Sequence, residues 1–197
     1  MSLYAKSTLF VMLGLLASCA SPPPQQGKPL PAGYLYKGSF LNIHSPRQKG
    51  WYLSSASHAG MQFTRHGDKK GERFTAQVQT FPLPRFKHTR DMVSFLKNGF
   101  EKDTRSARFT IIKSDFKLSD VRKYPCVSVS AVIQDNQATG SHAHHKKLIL
   151  QSYSLYCRHP VQKLAGFAIT YSHRGKSLYP GLKQQARAFM AGVQVPR

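Results

Sequence analysis

From residue 50 onward, apolar and polar side chains alternate with a period of two over residues 50–55, 61–66 and 74–81, and a turn-forming stretch carrying Gly67, Asp68 and Gly71 separates the last two. Such alternation turns one row of side chains toward a core and the other toward water, so 61–81 predicts a β-hairpin, ended by Pro82 and Pro84. The period then changes. Met92, Phe95, Leu96 and Phe100 stand at i, i+3, i+4 and i+8, with Thr89 placed as an N-cap, so a helix is predicted over 89–103. Gly99 inside it costs about 1 kcal/mol relative to Ala. Strand chemistry returns at 109–116, 126–133, 148–157 and 165–173, with polar connections expected at 115–125 and 134–147. Leu182, Ala186, Phe189, Met190 and Val193 then form one side of a closing helix, with Pro180 near its start and Gly192 at its stop. The expected fold class is α+β, an antiparallel sheet of about six to seven strands with two helices packed on it.

This element order over residues 50–193, with a closing helix after a strand ending Tyr171, Ser172, His173, Arg174, Gly175, loosely resembles the PsbP-type fold. The resemblance implies a small binding or accessory protein without enzymatic activity, and it names no ligand.

The N-terminus reads differently. Residues 1–6 carry one side-chain cation, Lys6, and residues 7–17 are apolar apart from two hydroxyls. That is the build of a secretory signal and is too short to span a bilayer, which takes roughly 20 apolar residues. The run ends in Leu16, Ala17, Ser18 and Cys19, which resembles the bacterial lipobox. The resemblance implies removal of residues 1–18 and lipidation of Cys19, and Ala20 in place of Asp after it favours the outer membrane, with the domain facing the periplasm. Residues 19–33 hold five of the twelve prolines and almost nothing apolar enough for a core, so they are expected to be a tether. The remainder, 34–197, reads as a single domain.

With Cys19 carrying lipid, Cys126 and Cys157 form an even pair in an oxidising compartment, and a disulfide is the expected state. Two registers compete for the 126–133 and 148–157 strands. Partner numbers summing to 283 put Cys126 opposite Cys157, whereas a sum of 282 pairs Val127 with Leu155 and Ile133 with Ile149 but sends the cysteines to opposite faces. A one-residue bulge would reconcile them.

Charge narrows the partner's sign. Without Lys6 in the leader, 28 Lys and Arg remain against 8 Asp and Glu, leaving +20 before histidine. Such a field attracts envelope lipid, cell-wall polymer or an acidic protein face alike, and no dense basic tract reads as a dedicated nucleic-acid motif. The sharpest local cluster is His142, His144 and His145 beside Lys146 and Lys147, with Arg174 as a further candidate contact. Three imidazoles in four residues suit Zn²⁺ or Cu²⁺, although adjacent lysines repel a cation. A metal or small-ligand binder using this loop is therefore the alternative to a basic, non-catalytic accessory domain. No paired carboxylates, nucleophile elbow or phosphate-cradling glycine loop stands in the sequence, so an enzyme is not expected and no cofactor is implied.

Overall fold

The computed structural model describes residues 29–138 and 146–196. In chain order the elements are β1 (Leu35–Tyr36), β2 (Asn42–His44), β3 (Tyr52–Ser57), β4 (Gly60–His66), β5 (Arg73–Pro82), α1 (Thr89–Thr104), β6 (Phe109–Ser119), β7 (Cys126–Ala138), β8 (Lys146–Arg158), β9 (Ala165–Gly175), α2 (Leu182–Ala191) and β10 (Val193–Gln194). Seven strands pair antiparallel in the order β3-β4-β5-β9-β8-β7-β6, and β1, β2 and β10 make a small second sheet. The described residues therefore form mostly antiparallel sheet with two helices.

Both faces of the large sheet are used. On one, Phe63, Phe74, Val78, Leu155, Ile169 and Tyr171 are buried beneath Leu182, Ala186 and Phe189 of α2, with Ile43 and Val193 of the small sheet completing the cluster. On the other, Val127 and Val129 meet Leu83 and Met92, the one buried residue of α1. Alternate residues of one strand thus enter two different cores, as the pleat requires.

This arrangement resolves the register. Cys126 lies opposite Cys157 and Asp135 opposite Leu148, so the partner sum of 283 holds from the first pair to the tenth and shifts only beyond Asp135. The competing pairing is not adopted, and no bulge separates Cys126 from Ile133. Its appeal rested on gathering Val127 and Leu155 on one apolar face, but each has its own buried side: Val127 packs with α1 and Leu155 with α2. Cys126 and Cys157 are joined as a disulfide, S–S 2.05 Å, between these neighbouring strands.

Three other expectations are corrected, and one small sheet is added to what the periodicity predicts. Residues 115–119 continue β6 instead of turning, because each pairs with β7 down to Ser119 opposite Cys126. Residues 134–138 extend β7. The N-cap of α1 is His88, not Thr89, and the Asp91 carboxylate accepts the His88 N–H at 3.1 Å. The small sheet was not anticipated, since its strands of two and three residues are too short to show a period.

Candidate functional site

Cys19, His142, His144 and His145 lie outside the described residues. Lys146 opens β8 and Lys147 follows it, exposed, at the sheet end where β9 closes with Arg174 and Gly175. Arg174, the further candidate contact, is ion-paired within the fold. Its Nη2 donates to Asp135 Oδ2 at 2.6 Å, while Arg108 Nε and Nη2 donate to Asp135 Oδ1 and Oδ2 at 2.9 Å each. Register explains the meeting: Arg174 lies opposite Leu150 and Asp135 opposite Leu148, so the two charges face each other diagonally across β8 on one face.

The Asp135 side chain is 3% exposed, and its carboxylate also accepts the Gln137 N–H. The Arg108 bond first, then that of Arg174, holds this carboxyl at about 2, well below the ordinary carboxylate value, against the opposing effect of burial. A second internal pair sits on the other face. Buried His173 bonds through Nε2 to Glu72 Oε1 at 2.8 Å. Burial pushes the Glu72 carboxyl up, but the His173 bond and the Lys69 N–H outweigh it, so it rests below its usual value.

Between α1 and the sheet runs an open groove of about 370 Å³. Gln77, Gln79 and Thr170 form part of its floor, and Phe95, Phe100 and Phe116 stand along its walls. The predicted apolar stripe of α1 seats only in part: Met92 is buried, whereas Phe95 is 43% exposed. Gly99 faces open space, where an added Cβ would meet nothing within 4 Å. Asp103 and Tyr156 are the titratable side chains lining the groove, and burial pushes the Tyr156 phenol up. The groove offers stacking and amide contacts, and it sets no nucleophile beside a base.

The acids explain the surface. Besides Asp135 and Glu72, Asp91 caps α1, Asp115 pairs with Lys117 at 2.7 Å and Glu101 lies 3.9 Å from Lys97. Five of the eight acids are thus held by neighbours within the fold. Most of the cations face water with no carboxylate against them among the described residues.

No protein-family model matches the chain, and no curated protein does. Solved structures that align with it include one from Bacteroides thetaiotaomicron VPI-5482, at 12% identity and a TM-score of 0.46, covering 87% of this chain and 49% of that one. This chain therefore spans about half the length of the structure it matches. Among the described residues, no three His, Cys, Asp or Glu side chains gather as a metal site would require.

Proposed function

We propose that this chain is an envelope lipoprotein: a signal over 1–18, a lipid on Cys19, a proline-rich tether, and a periplasm-facing, non-catalytic binding or accessory domain for an anionic partner. The observation that carries the reading is the engagement of the acids. With five of eight carboxylates bonded within the fold, most cations of the described residues face water with no carboxylate against them, and the chain after residue 18 carries a net +20. A field of this sign raises the local concentration of anionic groups and speeds encounter with them. The bonded Cys126–Cys157 pair fits an oxidising compartment, and the PsbP-like element order fits an accessory module.

Two measurements test the two halves of the reading. Cys19→Ala is expected to release the protein from membranes into the soluble envelope fraction; a variant that stays membrane-bound and uncleaved overturns the anchor. Purified protein is expected to recover an anionic component from solubilised envelopes above a charge-matched control protein. Recovery equal to that control overturns the binding role.

A further inference from the structure

Three connections lie side by side at one end of the large sheet: residues 83–88 after β5, 120–125 between β6 and β7, and 159–164 between β8 and β9. Their neighbourhood follows from the pairing of Pro82 with Ala165, Arg158 with Gly166, and Ser119 with Cys126. Arg158 ties the first and third together, donating from Nη2 to Pro84 O at 2.6 Å and from Nη1 to Lys163 O at 2.8 Å, with its guanidinium 5.5 Å from the Phe86 ring. The three loops enclose a shallow concavity of about 500 Å³ lined by Arg85, Lys123, Arg158 and Lys163 among Phe86, Tyr124 and His159. No acid lines it. The one carboxylate on these loops is Asp120, exposed at the β6–β7 turn.

The same loops expose large apolar side chains that the fold leaves unburied: Val121 is 74% exposed, Val161 75% and Leu164 63%. Each lies within three residues of a cation of the concavity. Single exposed apolar residues are ordinary, but three of them on the same loops that supply the four cations of one hollow form an amphipathic tip. Its chemistry matches a lipid interface, where phosphates lie at the level of the cations and acyl chains begin a few ångströms deeper.

We propose that this tip docks on the surface of an anionic phospholipid bilayer, with lipid phosphate in the hollow between Arg85, Lys123, Arg158 and Lys163 and with Val121, Val161 and Leu164 inserted among the upper acyl chains. The proposal rests on the anionic-partner reading and gives that partner a class and a place on the fold. Charge complementarity selects the occupant, and the apolar tips favour a bilayer over a soluble anionic polymer, which offers them nothing to enter.

The test uses the chain from Ala20 onward, which keeps every described residue, both cores and the disulfide. Flotation with phosphatidylcholine vesicles containing phosphatidylglycerol is compared with flotation on pure phosphatidylcholine. Binding is expected only with phosphatidylglycerol. Arg85→Gln, Lys123→Gln and Lys163→Gln together should weaken it about a hundredfold, at about fivefold per surface cation. Val121→Ser, Val161→Ser and Leu164→Ser, which keep the charge, should weaken it about tenfold or more. The same charge removed at the far end, Lys69→Gln, Lys70→Gln and Lys176→Gln, should change it no more than severalfold. All substituted positions are exposed, and unchanged thermal unfolding identifies folded variants. Equal losses from the two charge variants, or no effect of the serine variant, overturn the tip. Binding confined to vesicles carrying lipid A overturns the choice of phospholipid. If no vesicle binds while envelope pull-down still recovers an anionic component, this inference fails and the broader reading stands; if pull-down fails as well, both fall.

Discussion

Asp135 is the carboxylate whose chemistry the fold alters most. Three guanidinium N–H groups and the Gln137 N–H converge on one carboxylate that is almost out of water. A carboxyl held at about 2 in the folded chain and at its ordinary value, 3.8, when unfolded stabilises the fold at every pH above the ordinary value. That contribution, about 2 kcal/mol, disappears as pH falls from about 4 toward 2. Glu72, shifted in the same direction, adds stability that is likewise lost as its carboxylate is protonated in acid. Urea unfolding is therefore expected to show wild-type stability falling through this range, and Asp135→Asn should remove about 2 kcal/mol of that fall while costing about 2–3 kcal/mol at pH 7, because Arg108 and Arg174 lose their counter-charge. Parallel pH profiles for variant and wild type would show that the clamp contributes nothing. In the sequence Arg174 stands out as a cation and Asp135 as an acid in a connection; their meeting is invisible there, because it depends on a register between strands 39 residues apart.

At the scale of elements, periodicity revealed most of what formed, and its failures share a cause. The strand runs, the 89–103 helix and the closing helix carry clear periods, and each is found within about five residues of its expected bounds. The β7–β8 register could not be decided from apolar matching, because that criterion assumes one buried face and this sheet has two; the cysteines were the better guide. Removing the crosslink with Cys126→Ala and Cys157→Ala is expected to lower stability by about 3–4 kcal/mol for a closed loop of this length, measured by urea midpoint, and no change would mean that the reduced chain is already constrained. The groove beside α1 was likewise hidden, since Phe95 and Phe100 hold perfect stripe positions yet border open space. Gly99 is responsible in part, leaving the helix without a side chain where it passes over the sheet. Gly99→Ala, with room for its methyl, should raise stability by about 1 kcal/mol through helix propensity; a loss would show that the glycine is needed for close approach.

At the scale of the whole molecule, the strands set the distance between the two ends. Pro29 bridges to Tyr52 and Leu30 N–H bonds to Trp51 O, so residues 1–28 join the domain at the sheet end where β3 begins. Tyr52 lies level with Thr64 and Thr75, and seven residues of β5, about 23 Å, separate Thr75 from the tip beyond Pro82. Pro29 and the tip therefore lie at opposite ends, and in the proposed lipoprotein anchor and tip can engage one bilayer only if the chain between Cys19 and Pro29 reaches back along the domain. Ten residues in polyproline form span about 31 Å, enough for that return, whereas three span about 9 Å. The acylated protein with Val161→Trp should thus show strong quenching of the added indole by brominated phospholipid in anionic vesicles, against a small background from buried Trp51. Removing residues 22–28 keeps Cys19 and the proposed lipidation site but shortens the reach below the required length, so the quenching should fall severalfold while membrane attachment persists. Quenching that survives the deletion would mean that the tip meets a bilayer other than the one holding the anchor, and loss of attachment would show that the anchor had been destroyed along with the tether.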